Sequence, residues 1–117
     1  MDAKRADLEG KLEGLLAQAS SVAAEIQAID QGDSTPHYDQ IELPAHETGK
    51  RLSRMIQTAR ARDVAAENVL KAPCPDCGKE WPVDAETRQV RSMDGPIELT
   101  ETVSYCRCCR RLFFPSA

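Results

Sequence analysis

A chain of 117 residues with a net charge of −4 and an isoelectric point near 5.2 is one small domain, or one small domain with a helical annex. That balance argues against a whole-molecule field for nucleic acid, and two Phe, two Tyr and one Trp leave little for an aromatic core. Chains of this size commonly need a staple. No N-terminal apolar run follows the first charges and no stretch of about 18 apolar residues occurs, so the expectation is a cytoplasmic chain with no signal peptide and no membrane contact.

The charge is unevenly placed. Residues 1–45 carry three basic and nine acidic side chains, residues 46–71 six and three, and residues 72–117 six and seven. The middle segment is the only basic block.

Residues 2–30 read as a helix. Leu8, Leu12, Leu15, Ala19, Val22, Ile26 and Ile29 alternate steps of four and three, a heptad seam. Good helix formers fill most other positions; Gly10 and Gly14 lie off the seam, and Gly32 stands where a C-cap would. Such a seam packs on a second helix of the same chain, the first expectation here, or on a partner helix or a second copy in a coiled coil.

Residues 31–45 read as a connector punctuated by Gly32, Pro36 and Pro44, with Ile41 and Leu43 extended. His37 and His46 are isolated polar-segment histidines and read as solvated. Residues 46–70 read as a second helix with an apolar stripe of Leu52, Met55, Ile56, Ala59, Ala66, Val69 and Leu70. Lys50, Arg51, Arg54, Arg60 and Arg62 cluster in its first two-thirds. A solvated basic face that complements the acidic first helix accounts for them; so does a phosphate-contacting surface, which needs Lys and Arg but no particular sequence.

Pro73 ends that helix, and the chemistry begins at Cys74. Cys74-Pro75-Asp76-Cys77-Gly78 and Cys106-Arg107-Cys108-Cys109 are two Cys-x-x-Cys pairs separated by 28 residues, 78–105. A tight turn aims two sulfurs at one point, and two such knuckles supply the four soft, tetrahedral ligands that zinc prefers. The candidate ligands are Cys74, Cys77, Cys106 and Cys109, for one structural Zn²⁺. Cys108 does not fit the repeat and is left as a spare thiol. A cytosolic chain with such pairs points to metal before disulfides. Gly78 and the nearby Trp81-Pro82 suit a turn, not the helix start of a thioredoxin-like redox motif. In small zinc peptides the ion supplies on the order of 10–16 kcal/mol, which is folding energy.

Between the knuckles, residues 87–93 and 97–105 read as strands, with Asp94-Gly95 as the hairpin turn. Ile97, Leu99, Val103 and Tyr105 share one face, interrupted by Glu101. Trp81 and Val83 pack beside the metal, and Leu112, Phe113 and Phe114 offer a short final strand. Lys79, Arg107, Arg110 and Arg111 flank the sulfurs and offset the charge of −2 that four thiolates leave around zinc.

The expected fold is therefore α+β: an antiparallel helical hairpin (1–71, with connector 31–45) followed by a zinc ribbon (72–117). A closed four-cysteine shell has no position for water or substrate. No Gly-rich phosphate loop, Ser-His-Asp set or paired histidines occur, so neither an enzyme nor a small-molecule substrate is expected.

The run from Cys74 to Pro115 resembles the N-terminal zinc-ribbon region of Kra-type insertion-sequence transposases. The likeness rests on Cys74-Pro-Asp-Cys77-Gly78, Arg88-Gln-Val90-Arg-Ser92, Gly95-Pro-Ile97-Glu-Leu99, Tyr105-Cys106-x-x-Cys109 and Phe113-Phe114-Pro115, with a helical segment ahead of the ribbon. It implies a DNA-associated ribbon, here without the acidic-triad catalytic domain that follows it in that family. Arg110 stands where a glycine often follows the last knuckle cysteine. The candidate DNA contacts are Lys50, Arg51, Arg54, Arg88, Arg91, Arg107, Arg110 and Arg111. The competing reading is a protein–protein adapter or dimerisation module with a purely structural zinc. A redox or zinc-sensing switch built on Cys108 is a third.

Overall fold

The structure is a computed structural model that describes residues 2–67 and 70–115. It has the expected α+β architecture. Helices α1 (Asp2–Gln31) and α2 (Tyr38–Glu67) precede strands β1 (Lys71–Pro73), β2 (Glu80–Pro82), β3 (Asp84–Ser92), β4 (Gly95–Cys106) and β5 (Arg111–Phe113). Two compact units, Met1–Gly49 and Lys50–Ala117, divide inside α2.

In the first unit, α1 ends as its sequence implies. Gly32 takes φ 60° and its N–H donates to the Ala28 carbonyl at 3.1 Å, a left-handed helix stop that glycine adopts without steric cost. The connector is shorter than expected, because α2 begins at Tyr38. The reason is the reach-back half of a capping box, joined by a backbone turn. The His37 N–H donates to Gln40 Oε1 at 2.9 Å, and the Gln40 N–H donates to the His37 carbonyl at 3.0 Å.

Ile41 and Leu43 are therefore helical, not extended, and Pro44 lies inside α2. A proline there has no N–H for the carbonyl four residues back. Gln31 Nε2 donates to that Gln40 carbonyl at 3.3 Å, and Gln27 Nε2 to the adjacent Ile41 carbonyl at 3.2 Å. Two α1 side chains one turn apart thus satisfy the backbone that Pro44 disturbs. The second helix is expected to run to Leu70, which is instead an exposed bend; Val69 of its stripe lies outside the described residues.

In the second unit, β3 and β4 pair antiparallel from Asp84↔Val103 to Ser92↔Gly95; β3 starts earlier than the expected 87–93 and stops at Ser92, and β4 exceeds the expected 97–105 at both ends. The turn centres on Met93 and Asp94 instead of Asp94-Gly95, and of these residues only Gly95 has a positive φ, 115°. Helix α2 holds this turn: Ser53 Oγ donates to Asp94 Oδ2 at 2.5 Å and Arg54 Nη1 to the Asp94 carbonyl at 2.8 Å. Gly95 leaves room for the arginine, since a Cβ there would sit 3.2 Å from Arg54 Nη1.

Strand β4 is central, flanked by β3 and β5. Its buried side switches along its length: Ile97 and Glu101 are buried from one face, then Thr102, Ser104 and Cys106 from the other. Ser104 Oγ donates to the Pro82 carbonyl at 2.7 Å, tying β4 to β2. Buried Glu101 accepts from Arg88 Nε at 2.5 Å, so its charge is paired.

Candidate metal centre

Each knuckle is a short antiparallel pair closed by a turn. In the first, β1 and β2 pair from Lys71↔Pro82 to Pro73↔Glu80. The Cys74 N–H donates to the Lys79 carbonyl at 2.8 Å, and the Gly78 N–H to the Cys74 carbonyl at 2.9 Å. The second repeats the pattern between β4 and β5, where Cys106 faces Arg111 and the Arg110 N–H donates to the Cys106 carbonyl at 2.7 Å. The residue after the last cysteine is left-handed in both: Gly78 at φ 77° and Arg110 at φ 57°. The arginine bears the steric penalty that the glycine avoids.

The turns bring the sulfurs of Cys74, Cys77, Cys106 and Cys109 within 4.8 Å of one another. Cys74 Sγ lies 3.9 Å from Cys109 Sγ, and Cys77 Sγ lies 3.5 Å from Cys106 Sγ. All four thiols are free. A tetrahedron with metal–sulfur bonds of about 2.3 Å has sulfur–sulfur edges of roughly 3.8 Å, so the donor set fits a divalent ion of zinc's size. Cys106 is fully buried, Cys74 is buried, Cys109 half-buried and Cys77 exposed. The Cys109 N–H also donates to Cys106 Sγ at 3.3 Å, a backbone donor aimed at a thiolate.

Without the ion, the sulfurs divide protons unequally. Burial alone would raise Cys106, but the Cys109 N–H and the Cys77 and Cys74 sulfurs outweigh it and bring the thiol down to about 6. The neighbouring Cys106 sulfur, then burial, push Cys109 up to about 12. The Lys79 N–H draws Cys77 down, yet burial and the sulfurs of Cys106 and Cys74 prevail and leave it raised. A bound cation would replace those shared protons, because metal ligands bind as thiolates.

Cys108 is exposed and outside the cluster. Its sulfur hydrogen-bonds the Lys79 ammonium and, with the charge of that sulfur, raises the lysine pKa. Arg111 pairs with Asp76 of the first knuckle, an ion pair that spans the two turns.

The eight candidate DNA contacts do not form one set. Arg54, Arg88 and Arg111 are engaged with Asp94, Glu101 and Asp76. Arg51, Arg91, Arg107 and Arg110 are exposed, and Lys50 is half-buried.

Two grooves of about 480 Å³ each were not visible in the sequence. Trp81, Val103, Tyr105 and Leu112 line the first, with Asp84 and Arg107 among its polar groups. Trp81 therefore contributes to an open groove, and its indole N–H is buried with no acceptor among the described residues. Arg51, Arg54 and Arg62 line the second, beside Pro96, Ile97 and Glu98 at the β3–β4 turn. Spacing along α2 hinted at the arginines; only the clamp of that helix on the turn makes them a groove.

The fold and the cysteine cluster define a zinc-ribbon-like module with four cysteines placed so that they could hold a metal ion, preceded by two helices. Among the described residues, no helix is long and apolar enough to cross a membrane. The chain matches no family model, no curated protein and no solved structure.

Proposed function

We propose that this chain is a non-enzymatic binding module whose ribbon is folded by one structural Zn²⁺. The observation that carries this reading is the convergence of four cysteine sulfurs from two turns, with separations of 3.5 and 3.9 Å across them. Four thiolates fill the tetrahedral shell, leaving no position for a water or substrate to react. Zinc accepts this all-sulfur shell at the size observed.

For the ribbon we propose DNA as the partner, as its resemblance to the transposase ribbons implies. Two features support it. Trp81 and Tyr105 share a groove with Arg107, the combination of stacking surface and cation that nucleic-acid strands use. Arg51 and Arg62 line the second groove, where exposed guanidinium groups suit phosphate.

A salt titration tests the DNA reading on the zinc-loaded protein. Each phosphate neutralised steepens the fall of log affinity with log salt, by about 0.9 on duplex and about 0.7 on single strands. The expected slope is that of two to four contacts, reduced by about one in Arg107→Ala. No binding at low salt, or a flat response, removes DNA as the partner and leaves the metal reading standing.

A further inference from the structure

We propose that α1 pairs with α1 of a second copy of this chain, as an antiparallel two-helix coiled coil. The surface is plain in the exposures. Helix α1 runs 30 residues without one buried side chain, a length of about 45 Å. Leu8, Leu12, Leu15, Val22, Ile26 and Ile29 are 50–79 % exposed, and all six belong to the heptad seam. Contiguous apolar stripes of this kind mark an interaction surface. The intramolecular contacts use another side of the helix: half-buried Ala23, Gln27 and Gln31 line it, with the two glutamines bonded to α2 carbonyls. The stripe is therefore left open.

A period of 3.5 residues fits another helix of the same period, and a second copy brings one. With Leu8, Leu15, Val22 and Ile29 at d and Leu12, Ala19 and Ile26 at a, one antiparallel register overlaps the two helices over nearly their full length, leaving Ile29 opposite Arg5 of the other copy. Leu8 meets Ile26 of the other copy, Leu12 meets Val22, and Leu15 meets Ala19. Each Leu15 fills the space that the small Ala19 leaves, so the layers interdigitate.

Charge chooses this direction over the parallel one. Lys11 and Glu25 occupy g positions, and the antiparallel register sets Lys11 of each copy against Glu25 of the other. A parallel pair instead sets Glu25 against Asp30, and Lys11 against the apolar Leu16. All basic side chains of residues 1–45 lie at Lys4, Arg5 and Lys11, so the C-terminal half of α1, with Glu25 and Asp30 and no basic residue, meets them only in an antiparallel partner. Gly10 and Gly14 fall on the outer face, and a Cβ at either would meet nothing within 4 Å.

The test is sedimentation equilibrium and native mass spectrometry on the full, zinc-loaded chain. The expected result is a concentration-dependent dimer for the natural sequence. Leu15→Asp should be monomeric while keeping its zinc, which shows that the ribbon has folded. Lys11→Glu sets two carboxylates face to face, the new one and Glu25, twice per dimer and should weaken association about tenfold. Adding Glu25→Lys to it should restore the natural affinity. A natural chain that stays monomeric overturns the proposal, as does a dimer indifferent to Leu15→Asp. A dimer weakened by Leu15→Asp but unmoved by Lys11→Glu overturns the antiparallel register. None of these outcomes bears on metal or DNA binding, which the salt titration and the zinc content report separately.

Discussion

The ribbon unit and the helical unit reach order by opposite means. Every buried residue among the described ones belongs to Lys50–Ala117, and the helical unit has none. The ribbon's interior is small and polar: Cys74, Cys106, Glu101, Thr102 and Ser104, with only Ala72 and Ile97 as apolar company. Such an interior cannot hold itself by apolar burial, which contributes roughly 1.5–3 kcal/mol per large side chain. What it holds instead is a cluster of four sulfurs, a paired carboxylate and the Ser104 hydroxyl bond to the Pro82 carbonyl. The helical unit lacks even that. Its order comes from helix propensity, the Gln40 side chain at the start of α2 and two glutamine bonds, with an apolar stripe exposed. One unit gathers four sulfurs at its centre, and the other leaves its apolar stripe at the surface.

The largest effect that separates them is expected from Cys106→Ser. Cys106 is the fully buried cysteine of the cluster and accepts the Cys109 N–H. Its loss should abolish metal binding and the amide dispersion of the ribbon in NMR spectra, while the helical circular dichroism largely remains. Equal loss of both signals would mean that the two units are not independent.

Next comes Arg88→Leu, which strips the partner from Glu101. The carboxylate is 8 % exposed, and an unpartnered buried charge costs about 1–3 kcal/mol or more. Chemical denaturation of the zinc-loaded protein should show a lower midpoint, and Arg88→Leu with Glu101→Leu should recover part of it. An unchanged midpoint would mean that water serves Glu101 as well as Arg88 does.

A gain is expected from Arg110→Gly. The two knuckles share their turn geometry, yet one closes on Gly78 at φ 77° and the other on Arg110 at φ 57°. Relieving a left-handed non-glycine residue is worth about 1 kcal/mol. The thermal midpoint should rise, and a fall would mean that the guanidinium makes a compensating contact. The smallest effect belongs to the helical unit. Gln31→Leu should cost about 0.5–1 kcal/mol, because it leaves the Gln40 carbonyl to water. It should be silent in a Pro44→Ala background, where the alanine supplies the missing N–H. A full cost in both backgrounds would deny the link to Pro44.

Much of this was legible in the residues. Cys-x-x-Cys spacing named the four sulfurs that converge, and alternation along 97–105 placed β4. Heptad steps gave α1 nearly to its last residue. What stayed hidden needed partners distant in the chain. Pro44 read as a helix breaker because the glutamines that serve Gln40 and Ile41 lie on the preceding helix. His37 is no favoured cap, so the start of α2 at Tyr38 was masked until Gln40 reached back to it. Asp94-Gly95 read as the centre of a turn, but Ser53 and Arg54 fix Asp94 in place and leave the positive φ to Gly95 alone. Arginines counted as free cations proved to be divided: Arg54, Arg88 and Arg111 serve the fold, and only contact geometry tells them from Arg51 and Arg107.

Metal content is the most direct test of the ribbon's dependence on its ion. Native mass spectrometry of the purified chain should show one zinc per polypeptide, lost to a strong chelator together with the ribbon's NMR dispersion. Lowering the pH should release it, since protons compete for the thiolates. A chain that carries no metal and keeps an ordered ribbon, or one that keeps its zinc when Cys74, Cys77, Cys106 and Cys109 are all replaced by serine, would contradict it.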